Sequence, residues 1–354
     1  MRNKWVEAMR LRTLPVSAAG VVAGCGCAVW QGKFSTIPAL LCLLFALSAQ
    51  IAANFGNEYY DFKNGLDRKG RAGFRRGVTE GDIRPQAMRR ATFIMLGIAA
   101  VLGCALLIYG SLWLIPIGVA ILLFALAYST GPYPLSHHGL GDLAVVVFFG
   151  IVPVTLTCYL QTEEWIRMPI LLTVSVSIGL LAANVLIVNN YRDMEDDAAA
   201  GKHTTVVIFG RPIMSTAYLI SGIGAMLLMT PLWTNLPWEA LSVPLIYLVL
   251  HTATWRKLIH RRGASLNPLL GRTAFNLLFF TLSLLVVFIL CRPQNTQTKN
   301  TVEDMFKSAN LTEARTIVDI YVKQHISTVL GIYKKVSYAA TGVVVEVTDP
   351  TDNK

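Results

Sequence analysis

Nine long runs of mostly apolar residues dominate the chain, at about 14–31, 36–60, 88–109, 111–129, 141–161, 168–191, 212–232, 237–255 and 269–291. Each is near the roughly 20 residues that a helix needs to cross a bilayer. In hydrocarbon every backbone N–H and C=O must bond within the protein, which leaves only helices and closed barrels. The runs are continuous and lack the every-second-residue alternation of a membrane barrel strand. Only 15% of residues are charged and 54% are hydrophobic, whereas a soluble domain carries about 25% charged residues. The expected fold class is all-α: a polytopic membrane helix bundle of about nine transmembrane helices, spanning residues 1–292. Residues 293–354 are polar and read as a small C-terminal extension, with a helix near 301–325 and a strand-like run at 342–347.

Charge sets the orientation. Counted with the N-terminus inside, the inner segments hold twenty Lys and Arg, and the outer loops hold only Lys33 and Arg167. The positive-inside rule then puts the N-terminus in the cytoplasm and, for an odd number of spans, the C-terminal tail outside. The expected location is the cell inner membrane. The basic inner face also suits anionic lipid headgroups, and a nucleic-acid partner is not expected. The six cysteines lie in or beside the spans without metal-like spacing, so they read as small packing residues.

Two stretches break the apolar pattern in the same way. Asn184–Thr204 runs from apolar residues into Asn189, Asp193 and Asp197, spaced i, i+4, i+8. On one continuous helix these three share a face. Arg192, Lys202 and His203 flank them. Asn54–Arg76 repeats the pattern: Asn57 and Asp61 have the same spacing, Gly65 breaks the helix, Asp67 follows, and six cations accompany them: Lys63, Arg68, Lys69, Arg71, Arg75 and Arg76. A short charged run at a helix end is commonly just solvated surface. Two copies, both placed on the cytoplasmic side by the charge count, instead suggest one hard-cation site. Mg²⁺ takes a few carboxylates and shares its other positions with water and phosphate. As helix ends leaving the membrane, these acids are expected to be water-accessible. The long, Gly-containing loop at 61–87 reads as a flexible cover over a phosphate site.

Other residues are less decided. Arg10 and Arg12 are either interfacial anchors or phosphate contacts. Tyr128 is either an interfacial anchor or an aromatic face for a developing cation. His137 and His138 read as ordinary loop residues. Arg272 and Asn276, one turn apart, either pair locally or reach the site.

At these residues the chain resembles the UbiA superfamily of intramembrane aromatic prenyltransferases. Asn189-xxx-Asp193-xxx-Asp197 fits that family's pattern; the first motif departs from it, with Gly65 at the third position and Asp67 as the next acid. This departure is similar to the branch that prenylates 1,4-dihydroxy-2-naphthoate in menaquinone synthesis. Leu11–Pro15, Tyr128–Leu135, Gly139–Asp142, Asn189–Asp193 and Gly201-Lys202 also resemble that branch. The resemblance covers about residues 8–291.

It implies Mg²⁺ held by Asp61, Asp67, Asp193 and Asp197, binding the diphosphate of a polyprenyl diphosphate. Asn57 and Asn189 would orient that group, and Arg192, Lys202, Arg68, Lys69 and Arg12 would neutralise it. Tyr128 joins the four acids among the implied catalytic residues. The implied reaction is transfer of the polyprenyl group to 1,4-dihydroxy-2-naphthoate with loss of the ring carboxylate. Hydroxybenzoate, homogentisate or a haem is an alternative acceptor. A cation-coupled transporter is the alternative from another class, though its acids would be expected near mid-membrane.

Overall fold

The computed structural model describes residues 3–70, 73–163 and 169–291, and the regular secondary structure among them is all helical. In order, the α-helices are α1 (Lys4–Ala8), α2 (Leu14–Trp30), α3 (Thr36–Lys63), α4 (Pro85–Leu106), α5 (Leu114–Ala127), α6 (Gly141–Val145), α7 (Val152–Thr162), α8 (Pro169–Ala199), α9 (Thr205–Leu228), α10 (Thr230–Trp233), α11 (Ser242–His260) and α12 (Asn267–Leu290). A π-helical turn at Val146–Ile151 joins α6 to α7, so Gly141–Thr162 reads as one crossing. The extension 293–354, with its expected helix and strand, lies outside the described residues.

Among the described residues, six segments are long and apolar enough to cross a membrane: Thr36–Lys63, Pro85–Tyr109, Gly141–Thr162, Pro169–Ala199, Thr205–Trp233 and Gly263–Leu290. The apolar helices Leu14–Trp30 and Leu114–Ala127 are shorter. Large apolar side chains such as Ile94, Val101, Leu123, Ile220, Leu227, Val249 and Phe275 are exposed on the outside of the bundle. In water such a surface would drive aggregation; in lipid it is solvated. This is an integral membrane protein.

The middle of the bundle is α8, which packs against α2, α9, α12 and the π turn. With no hydrophobic force between helices in lipid, association depends on close packing of small residues. Two backbones meet closely at Gly150 and Gly179, where a Cβ on Gly150 would lie 2.3 Å from the Gly179 Cα. Polar side chains add cross-links: Ser177 donates to the Ala225 carbonyl at 2.9 Å, and Ser221 donates to Asn184 at 2.7 Å. Asn276 donates to Thr254 Oγ1 on α11 at 3.1 Å, so it ties two helices together. The cysteines are all unbridged, four of them buried.

The motif-bearing helices run past their expected ends. The apolar run at 36–60 continues to Lys63, and the run at 168–191 continues to Ala199. Helix α9 begins at Thr205, ahead of the apolar run at 212–232, and bends at Gly210 (φ 79°) just before Pro212. A proline ring removes one ladder bond and crowds the preceding turn, so a short, mostly apolar segment, Thr205 to Phe209, precedes the kink.

Candidate active site

Both acidic motifs end their helices with the same turn. On α3, Gly65 has φ 68°, and the Leu66 N–H bonds back to the Asp61 carbonyl at 2.8 Å. On α8, Gly201 has φ 71°, and the Lys202 N–H bonds back to the Asp197 carbonyl at 2.8 Å. This is the six-to-one bond of a glycine-terminated helix, which needs a residue at positive φ. The helix therefore stops where the first motif would have placed its third acid, and Asp67 is supplied from the loop. Each acid set sits at a helix C-terminus, where the peptide dipoles already add negative charge. The combined field favours a cation.

The side chains meet at one end of a cavity of about 440 Å³. Asn57, Asp61, Asn189, Asp193, Asp197 and Lys202 all line it. Lys202 Nζ is 2.8 Å from Asp61 Oδ2, and the ring of His137 is 3.6 Å from Asp61 Oδ1. Arg76 lies between the acids of the first motif, 3.9 Å from Asp61 and 3.3 Å from Asp67. Arg76 and Arg10 both donate to Asn57 Oδ1, at 3.2 and 2.7 Å, and Asn57 donates to Ser129 at 3.1 Å. On the second motif, Arg192 donates twice to Asp193, at 2.7 and 2.8 Å, and also to Asn189 and Asn267. Most of the rest of the wall is apolar, drawn from α2, α3, α4, α5, α7 and α8, and Arg10, Arg76, Tyr128, Asp142 and Thr205 also line it.

These acids are not the water-accessible groups that their place at helix ends suggests. Asp61 is 0% exposed and Asp193 is 2% exposed. A buried carboxylate needs a cation partner to stay charged, and Lys202, Arg76 and Arg192 supply it. The donor set suits a hard divalent cation, since carboxylate and amide oxygens are what Mg²⁺ takes. Asp61 Oδ1 is buried with no hydrogen bond of its own, facing the His137 ring at 3.6 Å. Among the described residues no group of three acids, histidines or cysteines is close enough to hold an ion as they stand. The basic side chains hold the carboxylates in that arrangement.

Two Asn-xxx-Asp helix ends thus line a largely apolar cavity within a membrane bundle. The UbiA prenyltransferase family model matches residues 17–283, three quarters of the chain. The chain belongs to the UbiA prenyltransferase family. Among curated UbiA-type relatives, a 1,4-dihydroxy-2-naphthoate octaprenyltransferase of Escherichia coli (strain K12) is 37% identical over 212 residues, covering 58% of this chain and 68% of that protein. One from Mycobacterium tuberculosis (strain ATCC 25618 / H37Rv) is 34% identical over 284 residues, covering 79% of this chain and 94% of that protein. A solved UbiA homologue from Archaeoglobus fulgidus bound to GPP and Mg²⁺ superposes with a TM-score of 0.61 at 15% identity, over 81% of this chain and 99% of that one. That likeness shows the UbiA fold.

Within this UbiA fold the expected site residues divide into two sets. Asn57, Asp61, Asn189, Asp193, Asp197, Lys202 and Tyr128 line one cavity, and Arg192 braces Asn189 and Asp193. Asp67 lies beside them, at a small adjoining pocket with Arg68 and Asp196. Arg68 pairs with Asp196 while its side chain stays 65% exposed. Lys69 and Arg12 are exposed, and neither lines the cavity. Arg10 and Arg76 hold the inner positions instead. Arg10 has φ 54°, a backbone position uncommon for a non-glycine residue. The loop after α3 is also less free than its composition suggests. Glu58 accepts the Val78 N–H at 3.0 Å, and Val78 and Ile83 are buried with Phe55 and Met88. That anchorage delivers Arg76 to the acids.

Proposed function

We infer that this protein transfers a polyprenyl group from a polyprenyl diphosphate to 1,4-dihydroxy-2-naphthoate, with loss of the ring carboxylate, as a step in menaquinone biosynthesis. The observation that carries the reading is the joining of two acid-bearing helix ends at the polar end of one apolar cavity. The acceptor follows from the relatives, whose names specify naphthoate. The polar end suits a metal-bound diphosphate and the apolar wall suits an isoprenoid tail.

In this reading Asp61, Asp67, Asp193 and Asp197 hold Mg²⁺, which, when bound, supplies Lewis-acid charge to the leaving diphosphate. The chain's own residues do the rest. Lys202, Arg76 and Arg192, which pair with these carboxylates, would share their positive charge with the diphosphate oxygens. Arg10 and Arg76 fix the Asn57 amide, and Arg192 fixes the Asn189 amide. Breaking the allylic C–O bond builds negative charge on diphosphate and positive charge on the prenyl carbon. Cations aimed at the leaving oxygens favour that state over the ground state. The Tyr128 ring offers its π face to the allylic cation. The apolar wall keeps water away, which would otherwise capture the cation as an alcohol.

The same reading counts α2, α5 and α11 as crossings beside the six longer segments, which gives nine. It places the site at the cytoplasmic face of the cell inner membrane, in contact with anionic lipid, and treats 293–354 as an appended extension. The test is an assay in membranes with a long-chain polyprenyl diphosphate, Mg²⁺ or EDTA, and a panel of acceptors. The expected result is Mg²⁺-dependent formation of a demethylmenaquinol from 1,4-dihydroxy-2-naphthoate. Product from 4-hydroxybenzoate or homogentisate alone would overturn the acceptor and keep the chemistry.

A further inference from the structure

Asp142 is a carboxylate on the cavity wall that the mechanism above does not use. It is the second residue of α6, outside both acidic motifs. One oxygen is committed: Thr205 Oγ1, at the start of α9, donates to Asp142 Oδ2. The other, Oδ1, is buried and has no hydrogen-bond partner. Leaving a buried acceptor unpaired costs about 1–3 kcal/mol, so folding alone gives no reason to keep a carboxylate there. An isolated carboxylate beside an apolar wall is retained at a cost, and such exceptions call for a ligand or a reaction.

Its surroundings indicate which ligand. Tyr128, Thr205 and Lys202 line the same cavity. Lys202 bonds Asp61 at the polar end, and Thr205 follows it by three residues. The turn carrying Lys202 is fastened to the turn before α6 by the His203 N–H, which bonds to the His137 carbonyl at 2.9 Å. Asp142 therefore belongs to a braced wall next to the diphosphate end. The reacting allylic carbon is bonded to diphosphate, so the attacking ring must lie at that same border.

We propose that Asp142 is a catalytic residue that binds the hydroxyl of the aromatic acceptor through Oδ1 and takes its proton as the ring attacks. This rests on the naphthoate reading above. The ring carbon that carries the carboxylate, beside a hydroxyl, forms its bond to the allylic carbon. The allylic C–O bond breaks, and its electron pair leaves with diphosphate. The hydroxyl proton passes to Asp142 Oδ1, and the O–H pair becomes the C=O bond of a ring ketone. Loss of carbon dioxide returns an electron pair to that oxygen, which takes the proton back from Asp142. The carboxylate ends the cycle as it began. A base held within hydrogen-bond reach typically contributes 10²–10⁴-fold.

Asp142→Asn keeps the shape and removes the base. It is tested beside Asp142→Glu in purified protein, with binding of a non-hydrolysable prenyl diphosphate analogue as the control for fold and donor site. The expected result is a fall in kcat with 1,4-dihydroxy-2-naphthoate of about 100-fold or more for Asp142→Asn, analogue binding within about 2-fold of wild type, and partial recovery in Asp142→Glu. A kcat within about 3-fold of wild type overturns the proposal. Loss of analogue binding along with turnover also overturns it, because the role is then structural. Absence of product from the wild type with this acceptor removes the naphthoate reading and this inference with it.

Discussion

Replacing Asp61 with Asn lowers prenyl transfer by about 10³-fold or more, equivalent to about 4 kcal/mol of lost transition-state stabilisation. Asp61 is fully buried at the cavity end, and Lys202, Arg76 and His137 all converge on it. The amide keeps the volume and one oxygen but loses the charge that a divalent ion requires. Asn is a better choice than Ala. Both changes remove the counter-charge of Lys202, but the amide oxygen can still accept from Lys202 Nζ, whereas Ala would leave that buried ammonium with no acceptor, at a further cost of about 1–3 kcal/mol of stability. The Asp193 site is braced differently, because Arg192 also bonds Asn189 and Asn267. Asp193→Asn should therefore fold well and lose turnover to a similar degree. The double variant should be little worse than either single one, since both acids serve one group and such effects do not add. The measurement is turnover at saturating Mg²⁺, normalised to monodisperse protein. Retention of more than a tenth of wild-type activity would remove Asp61 from the site.

Replacing Gly118 with Phe shifts the enzyme from long to short donors. Gly118 lies on α5 in the apolar part of the cavity wall, and a Cβ there meets no atom within 4 Å. The added ring can therefore enter the space without displacing the backbone. A cavity of about 440 Å³ lies in the range that encloses a drug-sized molecule, so a tail of many isoprene units fills it and extends beyond. Turnover with a long polyprenyl diphosphate should fall by about 50-fold. Turnover with dimethylallyl diphosphate should stay within about 3-fold, because the diphosphate end is untouched. The extra group should cost about 1–3 kcal/mol at most in stability, since it fills space instead of overpacking a core. Equal losses with both donors would mean that Gly118 does not face the tail.

Apolar run length was enough to read the helical membrane fold, because the bilayer imposes both length and backbone satisfaction. The i, i+4, i+8 spacing of Asn189, Asp193 and Asp197 was equally legible: α8 stays helical to Ala199 and keeps all three on the cavity. Gly65 marked the end of α3, and the structure gives the reason in its positive φ and the back-bond to Asp61. The choice among cations was not legible. Arg68, Lys69 and Arg76 are alike in sequence. Only the anchorage of the following loop through Glu58, Val78 and Ile83 turns Arg76 inward and leaves Lys69 exposed. The acids' burial was hidden for a similar reason. Lys202 reaches Asp61 across 141 residues, a contact that local pattern does not encode.

If the ends of α3 and α8 form one metal-dependent diphosphate site, equilibrium binding reveals it without relying on turnover. Purified protein is titrated with a non-hydrolysable prenyl diphosphate analogue, with Mg²⁺ and again after EDTA, for wild type, Asp61→Asn and Asp193→Asn. EDTA is expected to weaken wild-type binding by at least about 10-fold, added Mg²⁺ to restore it, and both variants to bind weakly with or without the metal, a difference of about 1.4 kcal/mol or more. Wild-type affinity in EDTA, or metal-dependent affinity retained in either variant, would contradict it.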